Sequence, residues 1–173
     1  MIYYTSDTHF FHLNILRYQL NRKHSSIEEM NCAIIEAWNS VVTDKDTVIH
    51  LGDFLMGQKA IGMPQIVPIL NGRKVICLGN HDPSATAMLK YGFDEVHNKL
   101  ELDIDDFHVL LRHYPPSEEE YKKFHYCLHG HTHGGSHREN GAFPGQIDVG
   151  VDVQGYTPKT FKQLIEGVPP NKL

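Results

Sequence analysis

The sequence predicts an α/β fold, and three observations carry that prediction. Short apolar runs at residues 2–5, 47–51, 75–78, 107–111 and 124–128 have the length and the β-branched or aromatic content of buried strands. Each run stops at polar side chains: Asp7-Thr8-His9, Gly52-Asp53, Gly79-Asn80-His81-Asp82, Arg112-His113 and His129-Gly130-His131-Thr132-His133. Between the first two runs lies a stretch whose apolar residues recur at helical spacing. A sheet of this class holds its ligands beyond the carboxyl ends of its strands, so polar residues delivered at the same end of five runs describe one site.

In chain order, Met1–Thr5 reads as a strand in the interior of the sheet. Taken alone, Asp7-Thr8-His9 is either a turn with an Asx cap or the start of a metal site. His12 and Asn14, in the mixed stretch Phe10–Leu16, either face the same cavity or cap a short helix. Arg17, Arg22, Lys23 and His24 read as a surface loop with solvated charges, phosphate steering being the alternative. Ser26 and Glu29 form a capping box that opens a helix to about Val42. Its stripe of Ile27, Met30, Ile34, Ala37, Trp38 and Val41 packs on the sheet.

From residue 56 to 72, Gly57, Gly62, Pro64, Pro68 and Gly72 exclude a long helix, leaving a loop and a short helix ended or kinked near Pro68. Pro83-Ser84 opens a short helix that Gly92 closes. Glu101–Ile104 and Phe107–Leu111 form a hairpin around Asp105-Asp106. Pro115-Pro116 ends the strand after His113, and Ser117–Lys123 is a capped, exposed turn of helix. Gly134, Gly135, Gly141 and Gly145 mark a mobile rim loop. The alternating Ile147, Val149, Val151 and Val153 read as a last strand, and Thr157-Pro158 starts a closing helix that Gly167 ends.

A chain of 173 residues, 40% hydrophobic, suits one domain over 1–173. Its net charge of -5 argues against coating nucleic acid or acidic membrane through a basic face. Cys32, Cys77 and Cys127 sit among apolar residues without a Cys-x-x-Cys pair and read as small buried hydrophobes. With no signal peptide and no long apolar run, the expected compartment is the cytoplasm, with no membrane partner. Thirteen histidines call for a metal-site search. The Gly-x-Ser-x-Gly and P-loop patterns are missing, which argues against a serine nucleophile or a nucleotide cradle of that type.

Taken in order, Asp7-x-His9, Gly52-Asp53, Gly79-Asn80-His81-Asp82, His113 and Gly130-His131-x-His133 resemble the five signature blocks of the calcineurin-like metallophosphoesterase superfamily. The resemblance implies a four-layer sandwich of two mixed β-sheets flanked by helices, with a dinuclear metal centre at the C-terminal ends of the strands. It implies that Asp7, His9, Asp53 and His133 hold one metal, and that Asp53, Asn80, His113 and His131 hold the other, Asp53 bridging. His81 then binds no metal but contacts the phosphate and protonates the leaving group, and Asp82 orients it. Ser6 and Phe10 stand where many members have Gly, which implies a narrower pocket.

The donors agree with that implication on chemical grounds. Imidazole, carboxylate and amide oxygen suit two borderline divalent ions, manganese (Mn) first, with Fe, Zn, Ni or Co as alternatives. Two such ions with Asp7, Asp53 and one hydroxide leave a net charge of about +1, which attracts an anion. The expected reaction is hydrolysis of a phosphate ester by in-line attack of a metal-bridging hydroxide, without a covalent enzyme intermediate. The expected substrate is a small ester, a phosphodiester before a monoester or pyrophosphate, with nucleotides and nucleic-acid ends in its range.

A relative turned into a protein-binding scaffold would lack His81 or several ligands, and all are present. A structural zinc site would close four ligands, usually with Cys. His50 and His129 each precede a ligand block, where they are placed to support a metal-bound imidazole. His24, His97, His108, His125 and His137 read as surface or ordinary packing.

Overall fold

Side chains alternate along each strand, so every sheet faces two different cores. In the computed structural model, which describes residues 1–19, 21–56, 63–135 and 143–173, β1 (Ile2–Thr5), β2 (Thr47–His50), β3 (Arg73–Cys77), β4 (Glu95–His97) and β9 (Lys159–Thr160) form one sheet. Its order is β4-β3-β2-β1-β9. The first four strands run parallel, and β9 pairs antiparallel with β1. β5 (Lys99–Ile104), β6 (Phe107–Arg112), β7 (Tyr126–His129) and β8 (Gln146–Asp148) form the second sheet in that order. It is antiparallel at the β5–β6 hairpin and parallel beyond.

Tyr4, Ile49, Val75 and Cys77 of the first sheet meet Val109, Leu111, Tyr126 and Leu128 of the second in one buried cluster. The alternate residues Tyr3, Val48 and Ile76 point the other way, under α2 (Ile27–Val41), α3 (Met63–Ile66) and α4 (Ala85–Lys90). Leu110 and Cys127 face outward from the second sheet against Tyr121 of α5 (Glu118–Tyr121) and Phe124. The result is two mixed sheets packed together and flanked by helices. Met30, Ile34 and Trp38 of α2 are fully buried, each contributing about 1.5–3 kcal/mol of apolar burial.

Several expectations hold, and others are corrected. Asp105, at φ 53, turns the expected hairpin. Pro68 falls inside the 3₁₀ turn Val67–Ile69 that follows α3, the break its missing N–H requires. β1 is interior but lies fourth of five, next to the short edge strand β9. At α2 the Ser26 hydroxyl accepts from Glu29 N, but the Glu29 carboxylate accepts from Ser25 rather than Ser26, so the box is only half closed.

Cys32 is exposed on the outer side of α2, whereas Cys77 and Cys127 are buried. The alternation after Asp148 does not continue as strand: Val151–Gln154 is a single helical turn, α6. The closing helix α7 (Phe161–Ile165) starts later than expected, capped by Thr160 and Gln163, because residues 159–160 first pair with β1 as β9. A short helix α1 (Ile15–Tyr18) follows Asn14, whose exposed side chain makes no cap bond. Gly57, Gly62, His137 and Gly141 lie outside the described residues.

Candidate metal centre

The carboxyl ends of five strands from both sheets converge on one pocket. β1 delivers Asp7 and His9, β2 delivers Asp53, and β3 delivers Asn80 and His81; β6 delivers His113, and β7 delivers His131 and His133. Asp7, His9 and His133 offer ligand atoms all within 4.8 Å of one another, and Asp53, His113 and His131 form a second such group. Asp53 Oδ2 stands between the groups, 3.7 Å from His9 Nε2 and 3.5 Å from His113 Nε2. Asn80 Oδ1 lies 3.1 Å from His113 Nε2, which lies 3.2 Å from His131 Nδ1. His9 Nε2 and His133 Nε2 are also 3.2 Å apart.

The backbone is bent to bring these atoms together. Asp7, His9, Asp53, His131 and His133 all have positive φ, between 50 and 72°. Each such residue costs on the order of 1–3 kcal/mol, a cost found where a site over-determines its backbone. Close approach also needs two glycines: a Cβ on Gly79 would fall 2.1 Å from Asp53 Oδ1, and one on Gly130 would fall 2.4 Å from Asp7 Oδ2. Ser6 and Phe10 do not narrow the pocket. Phe10 turns into the core against the Phe54 ring, and the Ser6 hydroxyl donates to Asp7 at 2.5 Å.

These groups are spread over 126 residue steps of sequence, from Asp7 to His133, yet each block lies just past a strand end and faces the same pocket. The model of the calcineurin-like phosphoesterase superfamily domain matches residues 1–149. The chain belongs to the calcineurin-like phosphoesterase superfamily. It is 34% identical over 177 aligned positions to an uncharacterized protein of Methanocaldococcus jannaschii, covering 99% of this chain and 93% of that one. It is 28% identical to the gene 66 protein of Mycobacterium phage L5, covering 88% and 87%. A protein of unknown function from Aquifex aeolicus, with a solved structure, superposes with a TM-score of 0.78 at 26% identity, covering 97% and 99%.

In this member of the superfamily the donors fit a divalent metal. Four imidazoles, two carboxylates and one amide oxygen suit borderline cations. Burial raises the Asp7 carboxyl to about 8, against the opposing pull of His133 and Ser6, so the protein's own groups leave it short of positive charge. Burial lowers His113 to about 4 and drives His9 far below the usual imidazole range, which keeps both rings neutral, as ligation requires. For His133, burial works downward, but the Asp152 hydrogen bond and the charge of Asp7 outweigh it and raise the pKa.

His81 stands at the open edge, its ring 5.4 Å from His9 and its Nε2 3.9 Å from Asp53 Oδ2. Asp82 has other partners than the implied one: its carboxylate accepts from the backbone N–H groups of Asp53, Phe54 and Gly79, at 2.8, 2.8 and 2.9 Å. It folds back to tie the ends of β2 and β3 together, and none of its described hydrogen bonds goes to the His81 ring. Burial raises it to about 6 although the three N–H groups oppose this.

Two residues packed against the site escape a reading of the sequence. Arg22 is buried, not solvated, and forms a two-point ion pair with Asp152 at 2.8 and 2.6 Å. Asp152 Oδ2 also accepts from His133 Nδ1 at 2.6 Å, and Arg22 donates to the carbonyls of Thr8 and Asp7 at 3.0 and 2.6 Å. One clamp thus orients a candidate ligand and holds the strained loop after β1. Asp152 lies between Val151 and Val153, in an alternation that reads as strand, and the helical turn α6 carries it to His133.

His12 is buried beside His9, the two Nδ1 atoms 3.4 Å apart. Among the described residues, the hydrogen bonds of His50 and His129 go to groups other than ligand imidazoles: His50 Nε2 pairs with Thr8 Oγ1, and His129 with Gly130 O and Gln146. The supporting acceptors are Asp152 for His133 and the Leu51 carbonyl, 2.9 Å from His113 Nδ1.

Proposed function

We propose that this chain is a metal-dependent phosphodiesterase that hydrolyses its substrate in line, without a covalent enzyme intermediate. One observation carries the reading: a single carboxylate, Asp53, lies within reach of two separate ligand groups, 3.7 Å from one and 3.5 Å from the other. Asp7, His9, Asp53 and His133 would hold one divalent cation, and Asp53, Asn80, His113 and His131 the other, with manganese the first choice. When bound, such a pair supplies positive charge to the phosphate and lowers the pKa of water toward ~7.

The chain's own residues do the rest. Asp53 fixes the spacing of the two groups, and its Oδ1 is held by the His81 N–H at 2.9 Å. His81, 35% exposed on its side chain, is free to reach the ester and give a proton to the departing alcohol. Asp82 holds the loops that carry Asp53 and Asn80. The Arg22–Asp152 clamp keeps the His133 proton on Nδ1 and its Nε2 lone pair toward Asp7. Among the described residues the pocket is open at the His81 and His131 edges, room that suits the second ester group of a diester.

The test is metal analysis of the purified protein, followed by rates on bis-p-nitrophenyl phosphate and p-nitrophenyl phosphate with added Mn. Faster turnover of the diester supports the proposal. Preference for the monoester converts it to a phosphomonoesterase, and metal binding with no turnover of either ester assigns the chain to the scaffold class.

A further inference from the structure

The metal centre has two open flanks with different chemistry. On one stands His81, its ring 5.4 Å from His9 and 6.2 Å from His12. On the other, the ring of Tyr114 lies 4.6 Å from His131 and 5.0 Å from His113, and the residue is 42% exposed. Tyr114 heads a cavity of about 440 Å³ that runs from His131 past Pro115 and Pro116 to Phe143. Phe143 is held at the far end by stacking on Tyr121, centroids 4.4 Å apart. This volume falls within the range of small-molecule sites, and a phosphate seated on the metal ligands leaves it unused.

The lining decides what fits. The rings and prolines offer flat apolar faces. The guanidinium of Arg112 is already held by both oxygens of Glu120, at 2.7 and 2.6 Å. Among the described lining residues Arg112 is the one guanidinium, and both of its contacts to Glu120 use Nη1. The described lining therefore favours a flat occupant able to hydrogen-bond at its rim to Ser117, Glu120 and Arg112. A nucleoside has that chemistry, because every nucleobase has a face that stacks on an aromatic ring.

We infer that the Tyr114 cleft holds the retained half of the substrate, and that this half is a nucleoside. The inference rests on the phosphodiesterase reading above and adds direction to it. With the nucleoside in the cleft, the other ester oxygen faces His81. Water supplies the oxygen that forms the new bond to phosphorus, the bond from phosphorus to the other alcohol breaks, and His81 delivers the proton that alcohol takes. The products are a nucleoside monophosphate and a free alcohol.

Two measurements test this. The first is ligand-observed NMR of the protein with adenosine and with ribose. Saturation transfer to the adenine protons, absent from ribose and weakened about tenfold in affinity by Tyr114→Ala, is expected for a base stacked on a ring. Tyr114→Leu, which keeps apolar bulk against His131, gives the same loss and serves if the alanine variant does not fold. The second compares thymidine 5′-p-nitrophenyl phosphate with methyl p-nitrophenyl phosphate on the Mn-loaded protein. The ratio of their kcat/KM values is expected to exceed about ten and to fall about tenfold in Tyr114→Leu. Equal kcat/KM for the two esters, or adenosine binding unchanged in both variants, overturns the inference. Turnover of neither ester overturns the phosphodiesterase reading instead, and adenosine binding then still decides the cleft.

Discussion

Asp152→Asn isolates the clamp behind His133. The substitution keeps the shape of the side chain but replaces one acceptor oxygen with a donor, where every described partner is itself a donor: His133 Nδ1, Arg22 Nε and Arg22 Nη2. One contact must become donor against donor, and the Arg22 guanidinium, 1% exposed, loses its counter-charge. Breaking a buried pair costs about 3–5 kcal/mol, which in a chain of this size lowers Tm by roughly 6–20 °C. Loss of an acceptor behind a ligand imidazole costs about 10–100-fold in metal affinity. Denaturant unfolding of the metal-free protein and a competitive Mn titration measure the two effects separately. The double variant Arg22→Met/Asp152→Leu removes both charges, so it is expected to recover part of the stability, the carbonyls of Thr8 and Asp7 having lost their donor, but not affinity. Metal affinity within twofold of the parent in Asp152→Asn, or restored in the double variant, would refute the assignment of this carboxylate to His133.

Other expectations follow from the same geometry. His81→Ala is expected to keep both metals by elemental analysis while losing roughly 10²–10⁴ in kcat, the range for a positioned acid; departure of metal would show His81 to be a ligand. Gly79→Ala puts a Cβ 2.1 Å from Asp53 Oδ1 and 2.4 Å from its backbone N, so it is expected to lose metal stoichiometry, and full loading would contradict the close approach of the β3 end to Asp53. Metal uptake at pH 7 is expected to expel a proton, because burial raises Asp7 to about 8 and ligation needs the carboxylate. His133, raised above its usual range by Asp152 and Asp7 against the effect of burial, competes in the same sense, so affinity weakens as pH falls below 8. Calorimetry in buffers of different ionisation enthalpy reads this directly, and zero proton release would contradict it.

What the sequence revealed was local. The strand ends were legible because an apolar run that stops at Asp, His or Asn marks its own boundary, and α2 because its stripe repeats over 15 residues. The errors arise where a distant partner decides. Arg22 sits in a polar stretch and reads as solvated, but its partner Asp152 is 130 positions away. Val151 and Val153 continue a period of two that a single helical turn can also contain. Asp82 follows His81 directly and reads as its support, yet three backbone N–H groups of neighbouring strand ends claim its oxygens. Cys32 lies beside buried positions of α2 but on the opposite side of the helix, where only the placement of the sheet determines exposure.

Each ligand group draws on both sheets: Asp7 and His9 with His133, and Asp53 with His113 and His131. A cation held in either place would act as a rivet across the sandwich, joining layers that otherwise meet mainly through apolar packing. Neither rivet can be set until the layers have docked in alignment, so cation uptake during refolding would report completed assembly rather than secondary-structure formation. A chain with one layer displaced would keep its helices and strands but could not be loaded.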